Sequence, residues 1–229
     1  GIPEFCPDVI IIMCEAFSDL ADEDCFAYGE EDSPLRAYHE ACSKNALSGR
    51  MLVANYGAGT ANTEFDVLTG MQTNLVGDTS SFRLIHKNTK NLASVFADAG
   101  YYSFFMHPGE SWFYNRNSVY KYFGITDQTF KEAFDESDKK GTMISDAAFL
   151  EELKADLQTL MLENDAPLFV YSTTIENHQA YNYGKYNYTR NNIRENSFHT
   201  ATILLIVIIR LAKYLFLDAL LALKITFCG

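Results

Sequence analysis

The residues best placed to do chemistry sit in one stretch, Tyr56-Gly57-Ala58-Gly59-Thr60-Ala61-Asn62-Thr63-Glu64-Phe65-Asp66-Val67-Leu68-Thr69-Gly70. Small residues surround a hydroxyl. Gly57 and Gly59 permit a tight turn and the close approach of a ligand. Phe65, Val67 and Leu68 follow at helical spacing, which sets Thr60 at or just before a helix N-terminus. Backbone N–H groups and the helix dipole favour an anion such as phosphate at that place. Two roles suit Thr60: a helix cap, or a nucleophile activated by a metal or a base.

Other polar residues fall just past apolar runs. Glu15 follows Asp8-Val9-Ile10-Ile11-Ile12-Met13-Cys14. A carboxylate there is either a helix-start acid or a group at the strand ends where open α/β sheets bind ligands. His107 follows the run 101–106. His178 closes Ile175-Glu176-Asn177-His178 after the run 167–174 and reads as either structural or catalytic. Ser111-Trp112-Phe113-Tyr114-Asn115-Arg116-Asn117 gathers aromatics around an arginine, as a binding loop or an aromatic surface helix would.

The elements that must position these groups follow from periodicity. The run 8–13 is short, continuous and β-branched, which suits a strand covered on both faces. A helix is expected over 34–48, a second strand over 49–55 and a loop over 71–88. The segment 91–99 is helical, with Leu92, Val95 and Phe96 apolar and Gly100 as its stop. Strands are expected over 101–106 and 167–174. An amphipathic helix spans 145–162, carrying Ala148, Phe149, Leu153, Leu157, Leu160 and Met161 and capped by Ser145 or Asp146. Strands alternating with helices predict an α/β fold, a mostly parallel sheet with helices on both faces. In such a sheet Glu15, Thr60, His107 and His178 share one edge, and their convergence favours catalysis.

Bulk properties narrow the function classes. The 229 residues suffice for one large domain. A formal net charge of -12 argues against nucleic acid, whose phosphates require a basic patch. Much of the acid lies early, at Asp19, Asp22, Glu23, Asp24, Glu30, Glu31 and Asp32, and reads as a solvated face. Five cysteines, Cys6, Cys14, Cys25, Cys42 and Cys228, are an odd number without a CxxC pair, which suits neither a zinc ribbon nor a disulfide framework. The chain opens without an initiator Met or a signal peptide and reads as an excised piece. From Thr200 the sequence turns apolar, so a domain over 1–199 and a hydrophobic helical tail over 200–229 are expected. Arg210, Lys213 and Asp218 interrupt that tail. A bilayer charges roughly 2.5–3.5 kcal/mol for each such residue at mid-depth, which favours a buried or partner-seeking helix over a membrane span.

The segments 8–20, 57–70, 107–124 and 173–178 resemble the extracellular catalytic domain of lipoteichoic acid synthases. These are phosphoglycerol transferases of the sulfatase and alkaline phosphatase superfamily. The most specific pieces are Gly-Thr-Ala-Asn-Thr-Glu-Phe, and Tyr-Asn-Arg followed by Tyr-Lys-Tyr-Phe-Gly. The resemblance implies that Glu15 and Thr60 ligate a divalent metal and that Thr60 is the nucleophile. It implies that His107, Tyr114 (in place of the family's Trp) and Arg116 hold glycerol phosphate, and that Asn177-His178 contact the phosphate. Chemistry agrees: a threonine hydroxyl needs activation, and a guanidinium fork suits phosphate. Manganese or magnesium fits hard oxygen ligands, while zinc would also accept a His. A glycerophospholipid or glycerol-phosphate polymer is the implied substrate, at a membrane surface on the outer face of a bacterial cell.

Two departures are visible. The family completes its metal site with an Asp-His pair, and this chain contains no Asp-His dipeptide. The tail also differs from the family's helix at that point, so the copy reads as truncated or altered, with an incomplete fold. A catalytically inactive remnant that binds phosphate is therefore a second expectation, and a related ester hydrolase a third. The Cys/Ser-x-Pro-Ser-Arg motif of true sulfatases is absent.

Overall fold

The computed structural model describes residues 6–17, 36–44, 50–51, 54–55, 59–75, 80–178, 202–210 and 220–226. The early acidic stretch after Phe17, and Gly57 of the small-residue turn, lie outside them. The chain runs β1 (Asp8–Cys14), α1 (Arg36–Lys44), β2 (Arg50–Met51), α2 (Thr60–Thr69), α3 (Leu92–Asp98), β3 (Tyr102–Met106), α4 (Arg116–Tyr122), β4 (Asp127–Thr129), β5 (Lys139–Lys140), β6 (Met143–Ile144), α5 (Asp146–Glu163), β7 (Leu168–Thr173), β8 (Thr202–Arg210) and β9 (Leu220–Thr226). The main sheet has the order β2-β9-β8-β1-β7-β3-β4. β1, β7, β3 and β4 pair in parallel, and β8 runs antiparallel to β1 and to β9.

Alternation along β1 explains why its apolar run is unbroken. Ile10 and Ile12 point into a core that includes Phe104, Met106, Leu168 and Val170 and the buried face of α5: Phe149, Leu153, Leu157 and Leu160. Ile11 and Met13 point to the opposite face, against Phe65 and Leu68 of α2, Ala93 of α3 and Val119 and Tyr120 of α4. The sheet is thus covered by helices on both faces, and a strand with two buried faces has no polar position to alternate with. Burying each large side chain contributes on the order of 2 kcal/mol.

The helix boundaries follow local chemistry. Ser145 caps α5 by accepting from the Ala148 N–H. Asn91 caps α3 through a reciprocal box with Ser94. On α3 the buried apolar residue is Ala93, while Val95 is half exposed. Within the expected second strand over 49–55, Arg50–Met51 is strand and pairs with β9, 54–55 is not strand, and 49 and 52–53 lie outside the described residues. The stretch 71–88, expected as loop, holds two short 3-10 turns, Thr73–Leu75 and Ser81–Leu84. Asp66 of α2 accepts from the backbone and side chain of Thr73 at 2.8 and 3.2 Å. Asn62 accepts from both groups of Ser81 at 2.8 and 2.9 Å.

In the tail expected as a helix, the described residues form two strands. β8 pairs along the whole of β1, from Asp8↔Arg210 to Cys14↔Leu204, and β9 pairs with β8. A continuous apolar run carries no period to separate helix from strand. The β-branched Ile203, Ile206, Val207, Ile208 and Ile209 tip the balance, and the open edge of β1 supplies the backbone partners. Among the described residues no helix is long and apolar enough to cross a membrane.

Candidate functional site

Three parallel strands, β1, β7 and β3, end on one edge in register, with Met13 opposite Thr173 and Ser172 opposite Met106. The next residues along each chain carry the candidate groups. Glu15 leaves β1 and is 7% exposed, with its backbone N–H donating to Thr174 Oγ1 at 3.1 Å. Ala16, directly after it, has φ 51, a left-handed turn that a non-glycine residue adopts at a cost.

Thr60 arrives on α2 as its first residue. Gly59 is the N-cap, with φ 155, a conformation open to glycine. The cap role considered for Thr60 therefore falls to the Gly59 position, and the Thr60 side chain is free for another bond. Its Oγ1 donates to Glu15 Oε1 in a very short contact. His178 Nε2 lies 3.8 Å from the same Glu15 oxygen, on a turn closed by its own N–H to the Ile175 carbonyl at 2.9 Å. Burial pushes the Glu15 carboxyl up, against the pull of Thr60, His178 and Arg116.

His107 leaves β3 and is 2% exposed, with Nδ1 2.9 Å from the Thr173 carbonyl. A carbonyl can only accept, so Nδ1 carries the hydrogen and Nε2 is an acceptor. Burial, then the charge of Arg116, holds this imidazole well below its usual range, so it is neutral at pH 7. Gly109 packs directly on Nε2, where any side chain would collide.

Arg116 opens α4 after two left-handed residues, Tyr114 (φ 57) and Asn115 (φ 59). That strained pair turns the aromatic loop back on itself. The guanidinium is 2% exposed and lies 5.1 Å from the Tyr114 ring centroid. Its Nε and Nη2 donate to Glu64, the shortest contact being 2.6 Å. The loop is thus half turn and half helix. Trp112 and Phe113 beside it are 67% and 46% exposed. Asn177 points its amide at Asp146 Oδ2, 3.4 Å away.

The structure brings Glu15, Thr60 and His178 into one cluster. His107 and Arg116 are close enough for the Arg116 charge to act on both Glu15 and His107. The Sulfatase family model matches residues 7–213. The chain belongs to the sulfatase family. Two Rhizobium meliloti (strain 1021) proteins are similar to it. One, named for cyclic beta-1,2-glucan modification, is 29% identical over 76% of this chain and 26% of its own length. The other, capsular polysaccharide biosynthesis protein RkpI, is 25% identical over 80% of this chain and 33% of its own length. The chain thus spans about a quarter to a third of the curated relatives it matches. The lipoteichoic acid synthase LtaP from Listeria monocytogenes has the same fold: TM-score 0.60 at 16% identity, over 67% of this chain and 37% of that one. The shared fold is a mostly parallel sheet with flanking helices.

Members of the sulfatase family typically use divalent metals. A buried carboxylate oxygen touching a hydroxyl oxygen is a hard donor pair, and it fits such a cation as two of its ligands. Among the described residues no three His, Cys, Asp or Glu side chains form a metal cluster.

Sequence reasoning gave no role to Glu64, Tyr120 or Thr174. The signal for Glu64 was present: it stands four residues after Thr60 and so shares its helix face. Tyr120 opens the Tyr-Lys-Tyr-Phe-Gly piece of the resemblance but drew no role there, and nothing local pointed to Thr174.

Proposed function

We propose that this sulfatase-family chain is the phosphoester-handling part of a metal-dependent phosphoglycerol transferase, with Thr60 as nucleophile and a glycerophospholipid as donor. The observation that carries this reading is the Thr60 hydroxyl bonded to the Glu15 carboxylate at the shared strand edge. A divalent cation held by Glu15 and Thr60, manganese or magnesium by their hardness, would supply Lewis-acid activation of the hydroxyl.

The chain's own groups account for the remaining needs. Thr60 Oγ1 loses its proton to solvent as it attacks phosphorus. The new bond is Oγ1–P and the broken one joins phosphorus to the diacylglycerol oxygen, which takes up a proton from solvent. Arg116 and His178 face the developing charge on the phosphoryl oxygens. His107, neutral and with Nε2 as acceptor, suits a glycerol hydroxyl better than an anion, while Tyr114 lies against Arg116. An acceptor hydroxyl then attacks phosphorus and returns Thr60 to its starting state. If water is that acceptor, the same site is a hydrolase. The names of the two Rhizobium relatives favour a glycan acceptor; a lipid donor implies a membrane surface, and the resemblance to lipoteichoic acid synthases implies its outer face.

The test is release of diacylglycerol from vesicles containing fluorescent phosphatidylglycerol, with Mn²⁺ present. Thr60→Ala should lower turnover by at least about a thousandfold, the scale at which loss of a nucleophile is felt. Unchanged turnover in that variant overturns the assignment.

A further inference from the structure

Glu64 is wholly buried, one helical turn after Thr60 on α2. It meets Arg116 and Tyr120, the latter also wholly buried. Arg116 Nε donates to both Glu64 oxygens at 3.3 and 3.2 Å, and Nη2 donates to Oε1 at 2.6 Å. Tyr120 OH donates to Oε2 at 2.6 Å. Burial and the Glu64 charge push the Tyr120 phenol well above its usual range, so it stays a donor.

These contacts fix the guanidinium on two sides. Its Nε/Nη2 edge is held by Glu64, and one face lies over Tyr114. Nη1 is the nitrogen Glu64 does not engage. The pair also joins α2, which carries Thr60, to the start of α4, which carries Arg116. Nucleophile and cation are tied through one carboxylate, 52 residues from its arginine in sequence.

We infer that Glu64 is a positioning residue that aims Arg116 Nη1 at the phosphate lying against Thr60. The inference rests on the phosphoglycerol reading above. A planar fork held on one edge keeps its other edge in a set direction, and a bidentate pair supplies that geometry as well as energy. A purely structural role is the alternative, since a buried ion pair can often be replaced by apolar residues without loss of stability.

The experiment uses the full 229-residue chain and sn-glycerol 3-phosphate as probe. Binding is read by calorimetry for the native protein, Glu64→Gln, Arg116→Gln and the double variant. The Arg116 Nε–Hε NMR signal reports the guanidinium directly. Glu64→Gln keeps the shape but loses the charge and one of the two acceptor oxygens. It should weaken binding about 10- to 100-fold, the range expected when a hydrogen bond to a charged group is lost, and shift the Nε–Hε signal. In the Arg116→Gln background the same change should alter affinity by less than about twofold, because the effect acts through the arginine.

Native affinity in Glu64→Gln, or an equal loss in both backgrounds, overturns the inference. If Glu64→Gln does not fold, Glu64→Asp keeps the charge and shortens the reach by one methylene. It should still lose affinity, and native affinity in it overturns the inference. A native chain that binds no glycerol phosphate, with or without Mn²⁺, overturns the phosphoglycerol reading and this inference with it.

Discussion

Two glutamates stand on either side of Thr60, one leaving β1 and one on α2, and both are buried: Glu15 at 7% and Glu64 at 0% exposure. Glu64 faces a guanidinium and a phenol, and every contact is a donor to a carboxylate. Glu15 faces a hydroxyl and, at 3.8 Å, an imidazole. Depth and residue type are nearly the same, yet the first carboxylate is neutralised by its neighbours and the second is held against the cost of its burial. A neutralised buried charge belongs to the frame. A buried carboxylate opposed mainly by a hydroxyl is where a cation gains most on binding.

The contrast breaks first, and hardest, on the frame side. Arg116→Met leaves Glu64 buried with one phenol partner and should destabilise the protein by about 3–5 kcal/mol, read as a lowered urea midpoint. A loss under about 1 kcal/mol would show that Glu64 is not held by its arginine.

A third carboxylate sharpens the comparison. Asp146 sits beside Glu176, whose Oε2 accepts the Asp146 N–H at 2.8 Å. Burial, then the Glu176 charge, pushes the Asp146 carboxyl up to about 6, from an ordinary 3.8. The folded state therefore holds this proton more tightly than the unfolded chain. Stability from this group is present below about pH 4 and is lost as pH rises through 6, by at most about 3 kcal/mol. Urea titrations between pH 4 and 7 should show that fall in the native protein and lose it in Asp146→Asn. Parallel pH profiles would sink the assignment.

The cation side comes next. Mn²⁺ at a hundred times its dissociation constant should stabilise the native chain by about 2.7 kcal/mol and leave Glu15→Gln unmoved. Because the Glu15 carboxyl is pushed up, protons compete with the cation, and the stabilisation should shrink as pH falls. The smallest effect expected is Glu15→Gln without metal. Its neutral amide removes a buried charge with no full partner, so stability should stay within about 1 kcal/mol of native or rise. A loss as large as that of Arg116→Met would erase the distinction between the two glutamates.

The legible parts of the site were those with a local signature. Glu15, His107 and His178 each follow an apolar run, so their place at strand ends could be read from the strands alone. Thr60 followed from the glycine at 59, whose φ of 155 starts the helix there. Illegible were the roles that depend on a partner far along the chain. Arg116 reads as a free phosphate ligand in sequence, but two of its three nitrogens are engaged by Glu64. Asn177, expected on the phosphate, also donates to Asp146 Oδ2 at 3.4 Å.

By itself the sequence determined the alternation of strands and helices, the two-faced burial of β1, the start of α5 at Ser145 or Asp146, and the candidate residues at the strand ends. Each is set by neighbours within a few positions, through side-chain period or backbone conformation. Only the tertiary structure decided that the described parts of the apolar tail, 202–210 and 220–226, form strands, because an unbroken apolar run has no period and its state depends on the edge it meets. Only the tertiary structure separated the two glutamates, because burial costs the same in either place and what offsets it is brought in from elsewhere in the chain.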